Sequence, residues 1–435
     1  MTYVLTNLTV VDPFAKSLKE KSTVVLEGNR IQKVIHNDVV KQDAKGGAVV
    51  DCEGKFLLPG LMDMHTHLYE GKQSGDFLAQ RREGFPTTFE SLKKLVSKLH
   101  SYLYCGVTSI YDAGNVAPKL YYLRELERAG KIFSPRIFCA GWFVTCPGGH
   151  GSPLAVEISS LPADVQKLDN HLKERPDIVK ITYDERNWAT NPLIPILSKA
   201  VLKQIIDYCH SRNFRVTVHA SNEFRSREAI ECGADSLAHT VIQSPITEDF
   251  ADLVSKRKVP LVTTLQIGES YPRLAEHPEY LNEPLYRDCI SAEELEYLHS
   301  VESPKQSKSR HAAWMKVMTP VLQENINRIQ RKGAKIVTGT DGSSGPDYIR
   351  ELELLQEAGI SPWDIIIAAT RNGAIFLGRE EELGLIKEGS LADLVIVDAN
   401  PTTDIMNLRR VSMVVKNGQI VNLKKLDLPC NRGKA

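Results

Sequence analysis

The spacing of apolar residues changes along this chain. Near the N-terminus, short runs rich in Val, Ile and Thr (Leu8-Thr9-Val10-Val11, Thr23-Val24-Val25-Leu26 and Arg30-Ile31-Gln32-Lys33-Val34-Ile35) are separated by Asp12-Pro13 and Gly28-Asn29. Runs of this kind, bounded by turn formers, predict strands. Leu391 to Asp398 and Met413 to Val421 read the same way near the other end. The middle alternates strand-like runs, at about 61–67, 107–111, 136–140, 178–182, 214–219, 236–239, 259–264 and 334–339, with helical patterns or long loops. One helix is expected from Phe89 to Leu103, with Leu92, Leu95, Val96, Leu99 and Leu103 on one face. Another runs from Lys199 to Arg212 with Val201, Ile205, Ile206 and Cys209.

Eight βα units predict an α/β chain whose strands close into a (β/α)8 TIM barrel. An open doubly wound sheet would use similar units, but it usually carries a Gly-rich phosphate loop after its first strand, and here His-x-His stands in that place. The two β-rich ends are expected to pair as one small β-sandwich domain, residues 1–58 and 381–435, beside a barrel of residues 59–380.

Composition narrows the partners. A chain of 435 residues with 42% hydrophobic and 25% charged content has room for a barrel and a second domain. Lys+Arg and Asp+Glu both number 54, and no basic stripe points to nucleic acid or an anionic membrane, so a small-molecule substrate fits best. The first residues lack a basic, apolar leader and no later run approaches a membrane span, so the expected location is cytoplasmic. Cys52, Cys105, Cys139, Cys146, Cys209, Cys232, Cys289 and Cys430 contain no Cys-x-x-Cys pair and read as reduced, mostly buried thiols. Assembly into a homo-oligomer is left open.

Barrel active sites collect at the C-terminal ends of the strands, so the residues there carry the chemistry. The first strand ends in His65 and His67. Alternation across a strand turns both imidazoles to one face, as neighbouring ligands of one ion require. Strand four carries Lys180 within Ile178-Val179-Lys180-Ile181, strand five ends at His219, strand six at His239, and strand eight runs Ile336-Val337-Thr338-Gly339-Thr340-Asp341. Four histidines, a lysine and an aspartate at such positions are hard to obtain by accident in a chain with 12 histidines.

In this order the residues resemble the amidohydrolase superfamily, and the resemblance extends from the N-terminal strands to Asp398. Pro147-Gly148-Gly149-His150-Gly151, Lys180 and Gly339-Thr340-Asp341-Gly342 resemble its prolidase-like and Xaa-dipeptide carboxypeptidase branch and imidazolonepropionase-related proteins. The resemblance implies two divalent metal ions. His65, His67 and Asp341 would bind one, His219 and His239 the other, and Lys180 would bridge them as N6-carboxylysine. Imidazole and oxygen ligands favour Zn²⁺, with Mn²⁺, Co²⁺ and Fe²⁺ as alternatives. The implied activity is attack of metal-bound hydroxide on an amide or peptide-like bond, in a dipeptide or N-acyl amino acid. Asp341 would take the proton and deliver it to the leaving nitrogen.

Elementary electrostatics bears on Lys180 separately. A cationic amine about 4 Å from a divalent ion would be repelled by roughly 8 kcal/mol at an effective dielectric near 20. Burial beside an ion therefore pushes the amine toward neutrality, and a neutral amine adds carbon dioxide to become an anionic carbamate. An interior salt bridge and a Schiff-base nucleophile are the two other readings of this lysine. Cyclic-amide or imidazolone hydrolysis and cleavage of a carbamate, ester or lactone would use the same centre. Deamination is disfavoured, because Asn222 stands where mononuclear deaminases of the superfamily usually place a Glu. A non-catalytic relative is disfavoured too, since such proteins tend to lose the ligands that this chain keeps.

His150 reads either as a hydrogen-bond donor to the substrate carbonyl or carboxylate or as a solvated loop histidine. Asp63 either orients a ligand imidazole or is a structural buried carboxylate. Tyr183 reads as an ordinary tyrosine of the barrel mouth, and His36, His100, His171, His210, His277, His299 and His311 as surface residues. The segment from about Gln266 to Pro320, with Pro284, a helical run from Ala292 to Val301 and a polar stretch over 303–310, has the length of a lid. Within it, Tyr271 and Arg273 read as a solvated face or oligomer contact rather than as contacts to a substrate carboxylate.

Overall fold

The computed structural model describes residues 2–36, 47–68, 89–186 and 192–431. The chain begins with strands β1 (Thr2–Asp12), β2 (Ser17–Glu27), β3 (Arg30–Ile35), β4 (Ala48–Asp51) and β5 (Phe56–Pro59). The first three form an antiparallel meander, and β4 and β5 each run parallel to β1. Their inward residues Leu5, Leu8, Val24, Leu26, Ile31 and Leu57 are almost fully buried, each worth about 2 kcal/mol of apolar transfer.

One residue then redirects the chain. Gly60 donates its N–H to Asp393 O (2.8 Å) in the terminal sheet, and Leu61, the next residue, donates to Gly106 O (3.1 Å) among the parallel strands. A Cβ on Gly60 would lie 2.0 Å from Thr108 Oγ1, so only glycine allows the two layers to meet here.

Next come β6 (Leu61–Thr66), β7 (Val107–Asp112) and β8 (Arg136–Cys139), paired in parallel. Two short strands, β9 (Phe143–Thr145) and β10 (Ala155–Glu157), run beside β11 (Val179–Thr182). Then β12 (Val216–His219), β13 (Ser236–Leu237), β14 (Leu261–Val262) and β15 (Ile336–Val337) add in sequence, again in parallel. Ladder pairing divides these strands into a three-stranded and a seven-stranded sheet. Backbone hydrogen bonds span both gaps: Asp177 N–H to Cys139 O (2.9 Å) on one side, and on the other Met64 N–H to Thr338 O (2.9 Å), Thr340 N–H to His65 O (3.0 Å) and His67 N–H to Gly342 O (3.0 Å) among others. With a helix or helical segment between most successive strands, this is an α/β fold built on parallel sheets.

The strands begin within two residues of where the apolar pattern predicts, but β13, β14 and β15 are only two residues long. Beyond β14 and β15 the backbone turns left-handed at Thr264 (φ 47°) and Asp341 (φ 56°), a conformation that cannot continue a ladder.

Of the two helices read from periodicity, the first spans Phe89–Tyr104 and buries Leu95, Leu99 and Leu103. The second spans Lys199–His210, opens with Ser198 accepting Val201 N–H (3.2 Å), and buries Leu202 in place of the expected Val201. The segment after β14 is not a loop. It folds as helices Leu265–Glu276, Pro284–Cys289, Ala292–Tyr297 and Ser303–Gln306 before the 22-residue helix Arg310–Arg331. Leu274, Leu281 and Tyr286 form a small apolar core of its own.

At the other end, β16 (Leu394–Val397) pairs antiparallel with β5, and β17 (Val411–Lys416) and β18 (Gln419–Ile420) follow. The terminal strands thus form one hydrogen-bonded path, β18-β17-β16-β5-β1-β2-β3 with β4 on β1. The reason is β5, which is bonded to strands from both ends of the chain. Among the described residues the cysteines form no disulfide, and seven of the eight are buried. No helix among the described residues is long and apolar enough to cross a membrane.

Candidate metal centre

At the end of β6, His65 Nδ1 donates to Ala238 O (2.8 Å) and His67 Nδ1 donates to Gly114 O (2.7 Å). A carbonyl only accepts, so the proton of each neutral ring sits on Nδ1 and the lone pair on Nε2. Those lone pairs face a common point. His65 Nε2 lies 3.3 Å from Lys180 Nζ and 3.6 Å from Asp341 Oδ1, and His67 Nε2 lies 3.0 Å from the same oxygen. His239 packs on His65 (4.4 Å between ring centroids) and on His219 (4.5 Å), and its Nδ1 is 3.1 Å from Thr264 Oγ1. His219 meets His150 at 4.4 Å. The six expected ligands and His150 therefore lie in one contiguous cluster, brought from β6, β11, β12 and the segments that follow β9, β13 and β15.

Local sequence explains how the last of these strands approaches the first. A Cβ on Gly339 would lie 2.4 Å from Val262 Cγ1 and 2.7 Å from His65 Cβ, so glycine is required. Two residues on, Asp341 takes a left-handed backbone that Asp tolerates better than most residues, and its N–H donates to His65 O (2.7 Å). Asp63 accepts from His65 N–H (3.2 Å), Thr340 N–H (3.2 Å) and Thr340 Oγ1 (2.8 Å). It braces the backbone on both sides of the cluster and touches no imidazole nitrogen, so of its two readings the structural one holds.

Burial sets the protonation states. It pulls the Lys180 amine down to about 7, against the opposing attraction of Asp341 and Asp112. It pushes His219 down to about 4 and His65 and His239 well below the ordinary range. His67 is raised, because Asp341 outweighs the effect of burial. For Asp341 burial opposes ionisation, but His65, His67 and Lys180 outweigh it and hold the carboxyl below the usual carboxylate range. At neutral pH His65, His219 and His239 offer imidazole lone pairs and Asp341 a carboxylate, the donor set of a divalent cation. Lys180 belongs to no ion pair among the described residues and touches an imidazole instead, which leaves its amine available for carboxylation. The residues present fit the metal centre that the resemblance implies.

Two groups of three potential ligands stand close enough to share an ion: His65, His67 and Asp341, and His150, Asp184 and His219. Asp184 was missed in the sequence, although a signal existed. Positions 180, 182 and 184 share one parity, so an acid at 184 falls on the face of Lys180 if the strand direction persists. Tyr183, on the opposite parity, is fully buried and donates to Glu228 (2.8 Å).

Several other readings need correction. His100 is buried, held between Phe133 O (3.1 Å) and the Asp427 N–H (2.8 Å). His171 is buried on the inner face of the helix Leu161–Lys173. His311 is half-buried, edge-on to Tyr271 (4.6 Å). Arg273 pairs with Glu283 (3.2 Å) and stacks over Tyr280 (4.0 Å), which makes it an internal brace and not a solvated face. Asn222 accepts the Arg225 N–H (2.9 Å) and caps the helix Glu223–Glu231, a structural task.

Three comparisons with known proteins bear on identity. The chain is 24% identical over 416 residues to an imidazolonepropionase of Treponema denticola, covering 92% of this chain and 91% of that one. It superposes with a TM-score of 0.78 on a prolidase complexed with N-methylphosphonate-L-proline, at 21% identity and covering 97% and 99% of the two chains. It superposes with a TM-score of 0.75 on an Xaa-Pro dipeptidase with bound methionine, at 22% identity and covering 97% and 100%. The two structural likenesses establish the fold. Residues 56–421, which include every member of the cluster, match the Amidohydrolase family, so the chain belongs to that family and is an enzyme that hydrolyses carbon–nitrogen bonds.

Proposed function

We propose that this amidohydrolase uses two divalent ions, Zn²⁺ foremost, to hydrolyse an amide or peptide-like bond in a dipeptide or N-acyl amino acid. One observation carries the reading: four imidazoles, an ionised carboxylate and a lysine amine lowered to about 7 converge at the C-terminal ends of parallel strands. We read the two parallel sheets as the wall of a (β/α)8 barrel of residues 59–380, with 1–58 and 381–435 as the second domain. The hydrogen bonds across both gaps support this.

His65, His67 and Asp341 would hold one ion, His219 and His239 the other, and Lys180 both as a carbamate. Ions so held supply Lewis acidity, polarising a carbonyl and acidifying water. The remaining work falls to side chains. Asp341, kept ionised by the histidines around it, accepts a proton at its carboxylate and passes it to the leaving nitrogen. His150 stands on the Gly148–Gly151 turn with its side chain 18% exposed, and donates a hydrogen bond to the substrate carbonyl or carboxylate.

Relatives named imidazolonepropionase favour a second reading, opening of a cyclic amide. One experiment separates the two. Metal content is measured by mass spectrometry, and dipeptides, N-acyl amino acids, hydantoins and aryl carbamates are then offered to metal-loaded protein. Two ions per chain and turnover of linear amides are expected. Turnover of rings alone would favour the second reading, and a protein that takes up no metal would overturn both.

A further inference from the structure

Asp184 has its side chain fully shielded from solvent just past the end of β11, and although burial opposes ionisation, His150 and His219 outweigh it and hold the carboxyl below the usual carboxylate range. A buried carboxylate costs several kcal/mol unless its partners compensate. Its Oδ1 accepts the N–H of Arg186 (2.9 Å). Its Oδ2 faces two imidazoles, 3.2 Å from His219 Nε2 and 3.8 Å from His150 Nδ1.

The contact with His219 breaks a pattern. His65, His67 and His239 are each held at Nδ1, by Ala238 O, Gly114 O and Thr264 Oγ1 respectively. His219 is held at Nε2. Asp341, which faces Nε2 of His65 (3.6 Å) and His67 (3.0 Å), is itself an expected ligand of their ion; Asp184 is outside the expected ligand set and as a carboxylate only accepts, which puts the His219 proton on Nε2 and its lone pair on Nδ1. The ring is fixed by β12 pairing, since His219 stands opposite Thr182 and accepts Tyr183 N–H at its carbonyl (2.9 Å). His150 is tethered in turn, because Thr182 Oγ1 donates to His150 O (2.6 Å). Thr182, Tyr183 and Asp184 together therefore hold both histidines.

We propose that Asp184 is a positioning residue of the centre: it fixes the Nε2–H tautomer of His219, so that His219 meets its ion through Nδ1, and offers the same oxygen to His150. The metal part of this inference rests on the proposed function; the tautomer does not. The rival role, in which Asp184 joins His150 and His219 as a ligand, uses the same three residues and makes a different prediction.

The test has two readouts. Metal-free protein labelled with ¹⁵N-histidine is examined by long-range ¹H–¹⁵N correlation, the His219 signals being identified from their loss in His219→Gln. His219 is expected as the Nε2–H tautomer in the parent protein and as a mixture of both tautomers in Asp184→Ala. Zn²⁺ affinity is then measured by equilibrium dialysis. One site should weaken about 10- to 100-fold in Asp184→Ala, the usual cost of removing a carboxylate behind a ligand histidine. Asp184→Asn, whose amide oxygen still accepts, should lose much less affinity and keep the tautomer. It also serves as the test should Asp184→Ala fail to fold. An Nδ1–H tautomer in the parent protein would overturn the proposal. So would loss of an ion from Asp184→Ala with the tautomer unchanged, or Zn²⁺ binding in that variant as tight as in the parent. If the parent binds no metal, the proposed function fails, yet the tautomer still decides the role of Asp184.

Discussion

His171 makes stability depend on pH in a way that can be worked through. It lies on the helix Leu161–Lys173 beside Leu168 and Leu172, 2% exposed, and neither ring nitrogen has a hydrogen-bond partner. Burial alone lowers its pKa from the ordinary 6.5 to about 4. The folded form binds a proton less readily than the unfolded chain. The contribution is therefore complete above the unfolded value and drains away as pH falls toward the folded one. The full shift corresponds to about 3 kcal/mol. Between about pH 7.5 and about pH 5, linkage gives a loss of about 2 kcal/mol. With an unfolding entropy of about 2.1 cal/mol/K per residue over the whole chain, that loss lowers Tm by about 2 °C. Other buried histidines also destabilise the protein in acid, so the informative quantity is a difference. His171→Leu keeps the apolar contacts and removes the titration. Its Tm relative to the parent protein, followed by circular dichroism, should rise by about 2 °C as pH falls across that interval. A difference that stays constant would refute the reasoning.

Three further outcomes are expected. Asp341→Asn should retain part of its metal and lose about 10²- to 10⁴-fold in kcat, the usual contribution of a general base; unchanged turnover would remove Asp341 from proton transfer. Gly60→Ala should cost about 1–3 kcal/mol, because its Cβ would fall on the buried Thr108 side chain. Denaturant titration should show that loss, with Thr108→Ala recovering part of it. Thr264→Val keeps the shape of the side chain but removes the hydroxyl 3.1 Å from His239 Nδ1. Dialysis should then show metal affinity about tenfold weaker at an unchanged circular-dichroism spectrum, and equal affinity would argue that Thr264 does not orient the ring.

Much of the centre was legible before any coordinates. His65, His67, Lys180 and His219 interrupt apolar strand runs, and a polar group in such a run has either to be solvated at the strand end or to meet a partner inside. His239 and Asp341 follow the same logic two and four residues beyond their ladders. The helix Phe89–Tyr104 was legible because its apolar spacing and its burial coincide. Of the helices between residues 265 and 306 only the run that begins at Ala292 was legible; pieces of four to twelve residues have little stability of their own, and a small apolar core of Leu274, Leu281 and Tyr286 lies among them. His100 and His171 lie on helices whose periodicity marks an apolar face but not how wide it is. Their burial depends on what the rest of the chain lays over them.

What the amino-acid order determined by itself was which residue types stand at each strand end, because period-two alternation and apolar runs are local properties. What only the folded chain decided was how each imidazole is held. The acceptor for His65 is a carbonyl 173 residues away, and His67, His219 and His239 likewise depend on Gly114, Asp184 and Thr264 from other segments. A tautomer is set by a hydrogen bond, and a hydrogen bond between distant segments exists only once the strands that carry them lie side by side.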